Sequence, residues 1–292
     1  MNYVDWLEKF FEQEYQEDIG PSDITSEAVL NKSKQGIAVL KAKQSGIVGG
    51  VEEVSWFYKK HNLRVKALAQ DLKEVQKGDA ILEVYGRRKD ILATERVGLN
   101  VLQRMSGIAT ETRCLVELVR KYKTRVAATR KTVLRYLDKK AVFLGGGLTH
   151  RFGLWDSILI KDNHLEALKR EGVRSPIEKA VTMASKFVDR VRFIEVETTN
   201  LEEAVRAARK FKELNLIKPS IVMLDNVEPK EIHQVLEKMR RENLHNRVLF
   251  EASGNITPEN ITEYAKTGVD VVSLGYLTHS AKVFDMSLEM TL

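Results

Sequence analysis

The chain has 292 residues, 43% of them hydrophobic and 30% charged, with 47 Lys and Arg against 41 Asp and Glu and a formal net charge of +6. Such a balance excludes a disordered chain and suits one large or two smaller globular domains. Its apolar runs, such as Ile158-Leu159-Ile160, fall far short of the ~18–20 residues of a membrane span, and its one cysteine, Cys114, excludes an intrachain disulfide or a cysteine-based zinc centre.

Asp5, Glu8 and Lys9 interrupt the N-terminal aromatics, unlike a signal peptide, so a cytoplasmic protein is expected. From Tyr3 to Tyr15 the spacing of Val4, Leu7, Phe11 and Tyr15 predicts a helix. Gly36 to Lys43 reads as a strand, Val51 to His61 as a helix, and Leu63 to Ala69 and Asp79 to Tyr85 as further strands. This mixture predicts an α+β domain with an antiparallel sheet. Thr94 to Tyr122 is one long helical run, with Val97, Val101, Leu102, Met105, Ile108 and Ala109 in register. Gly107 interrupts it at a cost of roughly 1 kcal/mol against alanine, which implies a close packing contact there.

Beyond residue 125 strands and helices alternate. Six strands are read: Val126–Arg130, Ser157–Lys161, Phe193–Glu197, Ser220–Asp225, Val248–Glu251 and Asp270–Leu274, with Gly147–Phe152 as a candidate seventh. Leu201, Ala204, Val205, Ala208 and Phe211 form an amphipathic helical stripe. Thr257-Pro258-Glu259 reads as a helix start. Alternating units of this kind build a parallel sheet, open or closed into a barrel.

Active sites of parallel βα folds sit at the C-terminal strand ends, and here those ends are polar. In order they carry Thr129-Arg130-Lys131, Lys161-Asp162-Asn163-His164, Glu195-Val196-Glu197, Asp225-Asn226, Ser253-Gly254-Asn255 and Gly275. Between the first two lies Gly145-Gly146-Gly147-Leu148-Thr149-His150-Arg151. Arg130, Lys131, His150, Arg151 and Lys161 make a cationic half suited to a substrate with several anionic groups. Glu195, Glu197 and Asp225 make an acidic half, and carboxylates facing a polyphosphate call for a divalent cation such as magnesium. The turns at Gly254 and Gly275 let backbone N–H groups approach a phosphate. His61, His233, His245 and His279 are read as surface or packing residues. The basic balance alone also fits nucleic acid, but no lysine-rich tail or aromatic-basic motif supports it.

Several of these segments carry a resemblance. Thr129-Arg130-Lys131-Thr132, Gly145-Gly146-Gly147 with His150-Arg151-Phe152-Gly153-Leu154, Ile160-Lys161-Asp162-Asn163-His164, Glu195-Val196-Glu197, Met223-Leu224-Asp225-Asn226 and Glu251-Ala252-Ser253-Gly254-Asn255-Ile256 resemble the motifs of the quinolinate phosphoribosyltransferase family. Glu17-Asp18-Ile19-Gly20 with Asp23-Ile24-Thr25-Ser26 is similar to the family's N-terminal motif. Glu95-Arg96-Val97-Gly98-Leu99-Asn100 with Ser106-Gly107-Ile108-Ala109 is similar to its linking helix. The resemblance implies an incomplete, seven-stranded α/β barrel over 116–276 and an N-terminal α+β sandwich domain over 1–115, joined by 277–292. It implies decarboxylating phosphoribosyl transfer from phosphoribosyl pyrophosphate to quinolinate, with Mg2+, and a homodimer or hexamer in which Arg96 enters the neighbouring site. Arg130, Arg151 and Lys161 match residues that hold the pyridine dicarboxylate. Lys131, His150, Glu197 and Asp225 match residues serving phosphoribosyl pyrophosphate and its metal, with Glu197 and Asp225 as ligands. Thr129 belongs to the same substrate-binding set, and Ser253, Gly254 and Gly275 match residues around the 5′-phosphate. Two departures are visible: the family's Thr-Pro-Gly after Thr-Arg-Lys-Thr is replaced by Val133-Leu134-Arg135, about two residues shorter, and Lys212 to Pro219 lengthens one connection. The rival readings are a phosphoribosyltransferase for another aromatic acid or base, and a sugar-phosphate isomerase or aldolase using Lys161 as a Schiff-base lysine.

Overall fold

In the computed structural model, which describes residues 2–30 and 34–291, the strands are β1 (Gln35–Ala42), β2 (Gly46–Ile47), β3 (Arg64–Ala67), β4 (Glu74–Val75), β5 (Ala80–Arg87), β6 (Arg125–Ala128), β7 (Ile158–Ile160), β8 (Ile194–Thr198), β9 (Ser220–Asp225), β10 (Leu249–Ser253), β11 (Val271–Leu274) and β12 (Met286–Thr291). They fall into two compact units. One holds Met1–Arg113, Val133–Gly146 and Ser280–Leu292; the other holds Cys114–Thr132 and Gly147–His279.

The first unit is built on an antiparallel sheet ordered β12-β1-β5-β3, with β2 and β4 as a separate pair. Ala38, Leu40 and Ala42 alternate onto the buried face of β1, as a two-residue period requires. The helices Tyr3–Ile19 and Val51–Lys60 pack through Phe11 on Phe57, stacked at 4.6 Å. The long helix runs Arg88–Val119, starting six residues before the predicted Thr94. Its Gly107 has the expected packing reason: a Cβ there would stand 1.8 Å from the Lys282 carbonyl oxygen. The helix Arg135–Leu144, which follows β6 in sequence, also belongs to this unit. Its Asp138, fully buried, accepts from Arg104 at 2.6 and 2.8 Å, which ties it to the long helix.

The second unit carries a parallel sheet ordered β6-β11-β10-β9-β8-β7, flanked by helices. All five residues of β8 are buried, as are Phe250, Ala252, Val272 and Leu274, so the strands are covered on both faces as parallel strands must be. The Gly147–Phe152 segment supplies a single bridge rather than a full strand: Leu148 pairs with Ala127 on the outer edge of β6. That leaves the Leu148 segment and β7 as the two ends of an incomplete α/β barrel. The helix Leu201–Leu214 buries Ala204, Val205, Ala208 and Phe211 as read from the sequence. Leu201, in its first turn, is exposed. The helix expected at Thr257 begins instead at Ile261. Asn260 accepts from Thr257 N at 2.8 Å and donates to Asn255 O at 3.0 Å, so the intervening residues close a turn. Among the described residues no helix is long and apolar enough to cross a membrane.

Candidate active site

The second unit opens a cavity of about 600 Å³ at the C-terminal ends of its strands. Strand register ranks the side chains that enter it. Glu197, Met223 and Glu251 stand opposite one another on β8, β9 and β10. Asp225, Ser253 and Ser273 form the next rank toward the rim. Successive inward positions on one strand lie two residues apart, so Glu195 falls one rank below Glu197, where it is fully buried.

Of the residues read from the sequence, Thr129, Arg130, Lys131, His150, Arg151, Lys161, Glu197, Asp225, Ser253, Gly254 and Gly275 all line this cavity. Arg96 does not line it; it is an exposed residue of the long helix, in the first unit. The cationic side is held in place locally. Thr129 Oγ1 accepts from Lys131 N at 3.1 Å, and the Lys131 carbonyl accepts from Thr278 Oγ1 at 2.7 Å. Gly275 lets the Lys131 stem pass, since a Cβ there would stand 2.9 Å from Lys131 Cδ. Arg151 is nearly buried, and burial followed by the like charge of Arg130 lowers its pKa. Two guanidinium groups that repel one another in this way are poised for an anion between them.

The acidic side is not isolated from the cations. Lys161 Nζ donates to Glu197 Oε2 at 2.6 Å. Asp225 accepts from Asn226 Nδ2 at 2.8 Å, and burial followed by the charge of Glu197 raises its pKa, against Lys161, Asn226 and Lys131. An ion-paired ammonium is a poor carbonyl nucleophile, which weighs against Lys161 as a Schiff-base lysine.

Beneath the rim, His150 adopts a left-handed backbone at φ +52 and turns its ring into the barrel. Its Nε2 lies 3.2 Å from Glu195 Oε2 and 3.3 Å from Glu251 Oε2, both carboxylates being buried. The two contacts share one N–H, so neither has the directed geometry of a linear hydrogen bond. Burial alone opposes charge on the ring, but Glu251 and Glu195 outweigh it and push its pKa up to about 10. Burial, then the charge of Glu251, raises the pKa of Glu195, while His150 and Arg151 act to keep it ionised.

Two loops with left-handed backbone also line the cavity. Gly254 has φ +93, with Asn226 at +54 and Asn255 at +51. Asn226 N donates to Ser253 O at 2.8 Å, and Asn255 Nδ2 donates to Asn226 Oδ1 at 3.1 Å. Left-handed residues let a loop turn backbone N–H groups toward a bound anion, and Gly254 and Asn255 line the cavity where a phosphate would sit.

Three features were missed in the sequence. Glu251 lines the cavity, and its position two residues before Ser253 on one strand face was the available signal. Glu195 was grouped with the rim carboxylates but pairs with His150 below them. His279, read as a surface or packing residue, lines the cavity because the short helix Tyr276–His279 turns back over Gly275 at the end of β11.

Residues 108–289 match the family model described as quinolinate phosphoribosyl transferase, C-terminal domain, and residues 23–106 match its N-terminal domain. A probable nicotinate-nucleotide pyrophosphorylase [carboxylating] of Methanothermobacter thermautotrophicus is 38% identical over 277 residues, spanning 94% of this chain and 95% of that protein. The Bacillus subtilis protein of the same description is 34% identical, spanning 100% and 96%. Among solved structures, the nicotinate-nucleotide pyrophosphorylase of Francisella tularensis superposes with a TM-score of 0.85 at 34% identity, covering 100% of this chain and 98% of that one. With both of its domain models matched in order along nearly the whole length, the chain belongs to the quinolinate phosphoribosyltransferase family.

Proposed function

We propose that this protein transfers the phosphoribosyl group of phosphoribosyl pyrophosphate to quinolinate with loss of CO2, giving nicotinate mononucleotide and pyrophosphate for NAD biosynthesis. The observation that carries this reading is one cavity lined by Arg130, Arg151 and Lys161 together with Glu197, Asp225 and the Gly254 loop. A pyridine dicarboxylate needs at least two fixed cations, and planar arginine forks match its carboxylates. The phosphate end of the second substrate suits the Ser253-Gly254-Asn255 backbone and Gly275.

Lys131 neutralises charge on the departing pyrophosphate. Glu197 faces the ribose carbon as it gains oxocarbenium character, and its negative charge stabilises that state. The pyridine nitrogen forms the new bond to this carbon, and the ring becomes cationic. When the neighbouring carboxylate leaves as CO2, the electron pair stays on that ring carbon, stabilised by the adjacent cationic nitrogen, and a proton from solvent takes the carboxylate's place. Positioning and electrostatics account for the rate, without a covalent nucleophile.

Magnesium is part of the proposal. Glu197 and Asp225 fit it: both line one cavity, and burial, then the charge of Glu197, disfavours ionised Asp225, a cost that a divalent cation would relieve. When bound, it would neutralise polyphosphate charge beside these two carboxylates. We also propose a homodimer or a hexamer of dimers, in which exposed Arg96 reaches the neighbouring protomer's cavity, in a cytoplasmic enzyme without nucleic-acid or membrane partners.

The acceptor test compares quinolinate with nicotinate, which lacks the second carboxylate. Turnover with quinolinate and at most a few per cent of it with nicotinate supports the reading. Equal turnover would mean that the paired arginines do not read a dicarboxylate.

A further inference from the structure

The His150–Glu195–Glu251 group lies behind the cavity, and the chemistry above does not use the two carboxylates. Glu195 comes from β8 and Glu251 from β10, while His150 reaches them from the Leu148 segment at the far edge of β6. Both carboxylates are essentially inaccessible, at 0% and 1% exposure. Two buried negative charges with a neutral imidazole between them would stand uncompensated, which is a costly arrangement. A lone pair at Nε2 would also face two acceptor oxygens. Nε2 therefore carries hydrogen, and the ring carries the compensating charge. Nε2 is enclosed by the two carboxylates, and His150 itself lines the cavity, so Nδ1 is the ring nitrogen through which it can meet a substrate. In a neutral ring held this way Nδ1 would be an acceptor and would repel an anion. In an imidazolium it is a charged donor.

Resting on the anionic-substrate reading above, we propose that Glu195 and Glu251 are positioning residues that hold His150 as an imidazolium, with its Nδ1–H fixed toward a substrate anion. The left-handed backbone of His150 fits this role, since strain of ~1–3 kcal/mol persists only where surrounding contacts over-determine it. The charged groups acting on the ring are Glu195 and Glu251, and the charge of the adjacent Arg151 reaches Glu195. Phe193 makes a T-shaped contact with the ring, with centroids 5.2 Å apart. The raised pKa of His150 agrees with the geometry.

The test uses Glu251→Gln and Glu195→Gln, which keep size and an acceptor oxygen but remove charge. KM for each substrate is measured at pH 6.5 and 8.5 beside the wild type, with folding checked by circular dichroism. With its partner charge removed, the ring titrates nearer ~6.5, so KM of one anionic substrate should rise about tenfold more than in the wild type across that interval. The second measurement is the nitrogen NMR signal of the His150 ring in the wild-type protein, assigned with His150→Gln. The signal should remain that of an imidazolium at pH 8.5. A neutral wild-type ring at that pH overturns the proposal, and so do two folded variants with wild-type KM at both pH values. If neither variant folds, the NMR measurement still decides. A folded wild-type protein without turnover would speak against the phosphoribosyl reading and leave that same measurement intact.

Discussion

Replacing Gly254 with alanine separates a backbone cost from a site-geometry cost. The residue stands at φ +93, and a left-handed non-glycine residue costs ~1–2 kcal/mol. The added Cβ would also meet Asn226 Oδ1 at 2.2 Å and Asn226 N at 2.8 Å. Nonbonded carbon contacts settle near ~3.5 Å, so Asn226 must retreat by about 1 Å. Asn226 donates to Asp225 Oδ2 at 2.8 Å and to Ser253 O at 2.8 Å, so its movement disturbs both the carboxylate and the phosphate loop. A displacement of about 1 Å beside reacting groups costs on the order of 100-fold in rate. Gly172 supplies the control, at φ +85 with no heavy atom within 4 Å of an added Cβ. The assay is kcat/KM for phosphoribosyl pyrophosphate at saturating quinolinate, beside urea denaturation. Gly254→Ala should lose about 100-fold in kcat/KM. Gly172→Ala should lose only ~1 kcal/mol of stability and keep its activity. A folded Gly254→Ala protein with activity within twofold of Gly172→Ala would refute the reasoning.

Alanine usually improves a helix interior over glycine by ~1 kcal/mol, but Gly107→Ala should destabilise, because the contact with the Lys282 backbone outweighs that gain; an unchanged or raised melting temperature would contradict this. Lys161→Ala removes a cation from the cavity and the partner of Glu197, so kcat/KM should collapse with folding intact, and wild-type turnover in this variant would remove Lys161 from the site. Lys41 and then Lys43 hold Glu289 down to about 2 by hydrogen bonding across β1 and β12. A depressed carboxylate stabilises above its unfolded pKa of ~4.5 and loses that contribution as pH falls toward 2. The stability difference between wild type and Glu289→Gln should therefore shrink from pH 5 to pH 2, and a difference constant over that range would contradict the assignment.

How much of this was legible in the sequence depended on how local the signal was. The strand ends announced themselves, since Arg130, Lys161 and Asp225 each close a largely apolar run that has no use for a charge. Gly107 and the Leu201–Leu214 stripe were likewise readable from local pattern. The strand Met286–Thr291 was not read, because its pairing with β1 joins residues about 250 positions apart and leaves no local mark. The same holds for His150, whose carboxylate partners lie on two other strands. His279 was missed because one turn of helix, not a strand end, carries it to the cavity. Thr257-Pro258 gave a valid helix-start pattern that a competing Asn260 side chain converted into a turn.

The most direct test of the central claim mixes the purified protein with magnesium, quinolinate and phosphoribosyl pyrophosphate and follows CO2 and nicotinate mononucleotide together. Both should form in equal amounts and only when both substrates are present. A folded protein that yields neither, or releases CO2 without the nucleotide, would contradict the account.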